Sequence, residues 1–252
     1  MKKVQPFALA AWSCAVVVLA GCHAPGYPGA PEERPDEVRS FATLYKQNCA
    51  ACHGDQGRGG IAVSLANPVY IAVAGKENIA KYTAEGGPSQ MMPAFGRRHG
   101  GFLTDEQIEI LASGIVRQWG HGNALGGATA PAYAAALSGD PAAGKVAFDK
   151  YCLRCHQMNG KVQIVDAAGK TRVVGPVTDK DFLELISDQN LRSTIIAGKP
   201  DEGMPDWRGF GAQPLTDQQI TDIVAWLAAQ RKHAPQAMAA IPAPEAAKGE
   251  KQ

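Results

Sequence analysis

The sequence predicts a mostly α-helical protein made of two tandem copies of one small domain, the second carrying a short β-hairpin insertion. Two alignments of the chain on itself and one local pattern support this. Sliding by 103 positions lays Cys49, Cys52 and His53 on Cys152, Cys155 and His156, and Tyr45 on Phe148. Sliding by 112 positions lays Asn78 on Asn190, Gly86 on Gly198, Met92-Pro93 on Met204-Pro205, and Leu103-Thr104-Asp105 on Leu215-Thr216-Asp217. Two copies this parallel imply two domains of one kind. The nine-residue difference is an insertion in the second copy, where Val162–Val165 and Thr171–Val174 flank Asp166-Ala-Ala-Gly169 as a small hairpin would.

From the N-terminus, Met1-Lys2-Lys3 gives a positive start to an apolar run, Phe7 to Ala20, that is short for a membrane-spanning helix. The run ends in Leu19-Ala20-Gly21-Cys22, which resembles a bacterial lipobox. That resemblance implies a signal peptide over 1–21, a lipidated Cys22, and a periplasmic protein held on a membrane surface by acyl chains. An ordinary secretory leader with an incidental cysteine is the alternative. Residues 22–36, rich in Pro and Gly, read as a flexible tether. The domains are placed at 37–119 and 140–233, with a low-complexity linker over 120–139 and a disordered Ala/Pro/Lys-rich tail over 234–252.

Within each copy a short helix is predicted before the cysteine pair, at Ser40–Asn48 and Gly144–Tyr151. A final helix opens on a capping box, Thr104 with Gln107 and Thr216 with Gln219. Leu103/Ile108 and Leu215/Ile220 are spaced as hydrophobic staples. Ile108, Leu111, Ile115 and Trp119 mark one apolar stripe; Ile220, Ile223, Val224 and Leu227 mark the other. These stripes are read as helix packing.

The 25 Lys+Arg balance 24 Asp+Glu, and loss of Lys2 and Lys3 with the leader would leave 23 against 24. No basic field suggests a nucleic-acid partner. The chain has six cysteines, of which Cys14 lies in the leader and Cys22 in the lipobox. The other four form Cys49-Ala-Ala-Cys52-His53 and Cys152-Leu-Arg-Cys155-His156, the pattern of c-type haem attachment. On one helical turn, residues i, i+3 and i+4 face the same way. Two thiols can then reach the two vinyl groups of one porphyrin while the imidazole reaches its iron. A zinc site would want four N/S ligands, and a thiol oxidoreductase would show a βαβ pattern that this sequence lacks. Two covalently bound haem c groups are therefore expected.

For the sixth ligands, Met204 in Gly203-Met204-Pro205 aligns with Met92, and a following proline stiffens the chain beside an iron. Met92 and Met204 are the expected axial partners of His53 and His156. A core role for either methionine, or Met91 in place of Met92, remains open. Such His/Met ligation raises the reduction potential.

Each copy, over about residues 37–119 and 140–233, resembles a class I cytochrome c domain: an N-terminal helix, CxxCH, a downstream Met-Pro, then a C-terminal helix. In that family a proline carbonyl often accepts a hydrogen bond from the proximal histidine. The resemblance implies Pro176 for that part in the second copy, with Pro68 the nearest counterpart in the first. His99 and His121 are weighed as replacement ligands against solvated loop histidines. Arg97 and Arg98 are weighed as propionate partners, and Trp207 as a haem-edge packer against ordinary core. With both irons six-coordinate, the resemblance implies an electron carrier rather than an enzyme. It would pass single electrons between respiratory donor and acceptor proteins outside the cytoplasmic membrane, as a tethered shuttle or a complex subunit. A dihaem peroxidase or sulfur-compound oxidase with one open haem is the alternative.

Overall fold

The computed structural model describes residues 33–89, 91–158, 160–166 and 168–231. The leader with Cys14, the lipobox Cys22, most of the tether and the tail from 234 lie outside the described residues. The described residues from Arg39 onward form one compact unit, which holds the helices of both copies of the repeat.

Among the described residues there are eight α-helices and one two-stranded sheet. The first lobe holds α1 (Phe41–Asn48), α2 (Ala50–His53), α3 (Pro68–Glu85) and α4 (Asp105–Trp119). The second lobe runs α5 (Pro141–Tyr151), β1 (Val162–Val165), β2 (Thr171–Val174), α6 (Lys180–Leu185), α7 (Asp188–Ala197) and α8 (Asp217–Ala228). Ser40 caps α1 by accepting the Thr43 N–H. Helix α5 starts three residues ahead of the predicted Gly144, because Asp140 accepts from the Ala142 N–H and Pro141 fills the first turn. Both capping boxes form with their two reciprocal bonds. The hairpin pairs Val162 with Val174 and Val165 with Thr171, as the sequence suggests.

Helix α3 carries a break at Gly75, whose φ of 69° interrupts the helical backbone. The matching position 112 residues on is Ser187, the cap between α6 and α7. The repeat thus continues through the middle of each lobe.

In each lobe the first and last helices cross closely, α1 over α4 and α5 over α8. A Cβ added to Gly114 of α4 would sit 2.1 Å from the Phe41 ring, so the crossing needs a bare backbone there. In the second lobe the gap is on the other helix: a Cβ on Gly144 of α5 would sit 1.9 Å from the Asp222 carbonyl oxygen and 2.9 Å from Trp226 Cβ. Under the two sequence offsets Gly144 replaces Phe41 and Trp226 replaces Gly114. One lobe fits large against small and the other small against large. Aromatic contacts fill the remaining space, with Tyr45–Trp119 at 5.1 Å and Phe148–Trp226 at 4.5 Å between centroids.

The lobes meet where α3 packs on α7. Asn67 Nδ2 donates to the Ala197 and Gly198 carbonyls at 3.0 and 3.2 Å, while its Oδ1 caps α3 by accepting from Val69 N at 2.9 Å and Tyr70 N at 3.3 Å. The segment predicted as a linker is irregular but pinned to the second lobe. The buried Arg192 donates to the Ala132 and Tyr133 carbonyls, to Thr221 Oγ1 and to Asp217. Arg208 donates to the Leu125 carbonyl at 2.7 Å and to that of Ala124 at 3.3 Å. No helix among the described residues is long and apolar enough to cross a membrane.

Candidate haem sites

Each Cys-x-x-Cys-His motif closes one helical turn. In the first lobe the N–H groups of Cys52 and His53 bond the Cys49 carbonyl at 3.2 and 3.0 Å; in the second, those of Cys155 and His156 bond the Cys152 carbonyl at 3.1 and 2.9 Å. The turn is what brings the i, i+3 and i+4 side chains to one side. It follows directly from the preceding helix, whose last carbonyls, Tyr45 and Phe148, hold Cys49 N and Cys152 N at 2.8 Å.

In the second lobe Cys152, Cys155, His156 and Met204 line one cavity of about 660 Å³, joined by Ile164, the β2 residues, Pro176, Pro205 and Phe210. That volume lies within the usual range for small-molecule and cofactor sites. Two thiols, an imidazole and a thioether lining one cavity form the donor set that a covalently attached haem needs. In the first lobe Cys49 is half-buried, Cys52 exposed and His53 buried. The cavity described there, about 390 Å³ between Phe41, Tyr45 and Trp119, contains none of Cys49, Cys52, His53 or Met92.

The two methionine loops share one backbone geometry. The residue after each helix-ending glycine, Gly87 or Lys199, donates its N–H to the carbonyl of Met92 or Met204, at 2.8 and 2.9 Å. Further on, Leu103 N bonds the Phe95 carbonyl and Leu215 N the Trp207 carbonyl, at 2.7 and 2.9 Å. Met92 and Met204 are therefore equivalent in structure and both half-buried, whereas Met91 is 59% exposed.

The support around the histidines departs from the sequence expectation. His53 Nδ1 lies 2.8 Å from the Val63 carbonyl. A carbonyl only accepts, so Nδ1 carries the proton and Nε2 keeps its lone pair for a metal. Pro68 has no such part: it fills the first turn of α3 behind its cap Asn67. The Asn67-Pro68 pair is a helix-start signal, and reading it that way would have avoided the misassignment. Pro176 lines the second cavity, and the Gly175 carbonyl before it faces the His156 ring, although His156 Nδ1 is buried without a fully formed hydrogen bond. Burial lowers the pKa of both imidazoles, opposed at His53 by the Val63 carbonyl and at His156 by the Gly175 carbonyl. Neutral rings suit metal ligation.

Burial, with the neighbouring Cys52 or Cys155 thiol second, pushes Cys49 and Cys152 up to about 12. A thiol oxidoreductase needs the reverse, a thiol whose pKa is lowered so that the thiolate attacks. Among the described residues no group of three or more His, Cys, Asp or Glu is placed to hold a metal ion.

The other candidates do not line the second-lobe cavity. His99 and His121 are exposed. Arg97 Nε donates to the Phe102 carbonyl at 3.3 Å, and Arg98 pairs with Asp105 at 2.9 Å. Trp207 is fully buried in the core, under the Arg208 guanidinium at 4.7 Å, and does not line the cavity.

Two segments, residues 36–113 and 139–227, match the family described as cytochrome c oxidase, cbb3-type, subunit III. Among curated proteins, the Cbb3-type cytochrome c oxidase subunit CcoP of Azospirillum sp. (strain B510) is 30% identical over 197 residues, which is 73% of this chain. The chain spans 59% of that relative's length. Among solved structures, a chain of the Kuenenia stuttgartiensis reducing HAO-like protein complex Kustc0457/Kustc0458 aligns with a TM-score of 0.45 and 16% identity, over 77% of this chain and 99% of its own.

Proposed function

Because the chain belongs to the cbb3-type cytochrome c oxidase subunit III family, a family of cytochromes c with covalently bound haem, we propose that it is a dihaem electron carrier of a respiratory system. The observation that carries this is the repeated Cys-x-x-Cys-His turn, which in the second lobe shares one cavity with a Met-Pro loop. Haem c, when bound, supplies one-electron chemistry at its iron. Cys49, Cys52, Cys152 and Cys155 hold the two groups as thioethers. His53 and Met92 would ligate the iron of the first haem, and His156 and Met204 that of the second. The Val63 carbonyl orients His53. With such a pair in place no position would be open to substrate, and partners would exchange electrons at the haem edge.

The domains are assigned to 37–119 and 140–233. The leader 1–21, lipidated Cys22 and tether 22–36 hold them on the periplasmic face of a membrane. There they meet a donor and an acceptor protein, either as a subunit of an oxidase like the one that the relative is named for or as a tethered shuttle. A Cys22→Ser variant that stayed in the washed membrane fraction would refute the anchor. For the haem sites, the test is a haem count by pyridine haemochrome followed by titration with cyanide and carbon monoxide. Two haems per chain without prompt ligand binding are expected. Stoichiometric binding at one haem would replace the carrier by a dihaem enzyme with an open site.

A further inference from the structure

The two sites differ in one built feature. The hairpin β1–β2 belongs to the second lobe alone, and Ile164 with residues 170–174 forms one wall of its cavity. It is clasped to the methionine loop. Arg172 Nε pairs with Asp166 Oδ2 at 2.8 Å, and Arg172 Nη2 donates to the Asp201 carbonyl at 2.9 Å, three residues before Met204. Asp166 is 5% exposed and also accepts from the Ala168 and Lys170 N–H groups at 3.0 and 2.8 Å, which stiffens the turn. Ile164 fits against Gly203 so closely that a Cβ there would lie 3.0 Å from its Cδ1. The first lobe has a different surrounding: Cys52 is exposed, and the following loop carries Ile61 at 87% exposure.

We infer that this hairpin, clasped by Arg172, makes the second lobe the higher-potential haem site and so sets the direction of electron flow, from the first lobe to the second. The inference rests on the two-haem reading above. Oxidised haem iron carries one more positive charge than reduced iron. A wall that keeps water out disfavours that charge and raises the potential. Arg172 is neutralised by Asp166, so the clasp acts by shielding rather than by its own charge. His53 bonds the Val63 carbonyl at 2.8 Å, and such a bond makes the ring a stronger donor that favours oxidised iron in the first lobe. With both haems bound, one electron would pass from the first lobe to the second, with no bond or proton exchanged.

The test is a potentiometric titration of the full-length holoprotein followed in the visible bands, with Met204→His marking which wave belongs to the second lobe. Two waves are expected, the higher marked by Met204→His. Arg172→Gln should lower that wave alone, by about tenfold in the interhaem equilibrium constant, which is about 59 mV for one electron. Arg172→Lys should restore part of it. If Arg172→Gln loads haem poorly, Ile164→Ser puts a polar group in the same wall and should lower the same wave. Coincident waves, a higher first-lobe wave, or equal shifts of both waves would overturn the inference. A haemochrome count below two in the wild-type protein would instead overturn the reading beneath it.

Discussion

Asn67 has two duties that can be separated by substitution. Its Oδ1 caps α3, and its Nδ2 reaches across to the carbonyls that end α7. Losing an N-cap costs about 1 kcal/mol, and each buried hydrogen bond contributes about 1 kcal/mol net. Asn67→Ala, which removes all of these, should therefore destabilise the unit by about 3 kcal/mol. For a unit of this size each kcal/mol lowers the melting temperature by about 2–4 °C, giving a drop of about 6–12 °C. Asn67→Asp keeps the cap acceptor and adds a charge that suits a helix start, but it cannot donate. It sets a carboxylate against two carbonyl oxygens and should lose about 2 kcal/mol or more, about 4–8 °C. Scanning calorimetry of the haem-loaded protein reads both. Wild-type melting of Asn67→Asp would refute the stabilising role of the bonds between lobes. Wild-type melting of Asn67→Ala would refute both contributions.

Met92→Ala and Met204→Ala should each open one iron to cyanide and lower its potential while leaving covalent haem intact; an unchanged spectrum and potential in either variant would show that the methionine is not a ligand. Arg192→Ala strips a buried guanidinium from two linker carbonyls, Thr221 and Asp217, and should cost about 3–5 kcal/mol, read as a fall in the urea midpoint. Arg172, followed by the Lys170 and Ala168 N–H groups, holds the Asp166 carboxyl below its ordinary 3.8. A carboxyl with a lowered folded pKa contributes stability that is complete above the unfolded value and is lost as pH falls through the folded one. Hydrogen exchange at Val162–Val174 should thus stay slow at pH 5 and accelerate below about pH 4, a rise that Asp166→Asn abolishes.

Much of this was legible because the informative residues act locally. Thr104 and Gln107, Thr216 and Gln219 specify helix starts within four residues of chain, and both boxes form. The hairpin is equally local, since alternating Val and Ile flank a turn sequence. The two Cys-x-x-Cys-His turns need only the helix before them. What escaped depends on distance in sequence. Nothing near Asn67 says that its amide will meet Ala197, and nothing near Arg192 says that its guanidinium will be spent on residues 132 and 133. The linker looked loose because its own side chains are small. Its order comes from arginines 60 and 83 residues away. Val63 could not be found by residue type at all, because its contribution is a backbone carbonyl, which any residue carries.

The complementary crossings have a consequence for how the chain avoids its own copies. A newly made chain presents two first helices and two last helices of one pattern, and each could try the wrong partner. Helix α1 against α8 would set Phe41 on Trp226, two large side chains where one fits. Helix α5 against α4 would set Gly144 on Gly114 and leave a hole. Overpacking costs about 1–3 kcal/mol and an unfilled core cavity a similar amount or more. Both wrong pairings are thus penalised at the same point of the molecule, and exchanging Phe41 with Gly114 inside one lobe would remove that discrimination. Two domains of one fold on one chain can in this way sort themselves while they fold.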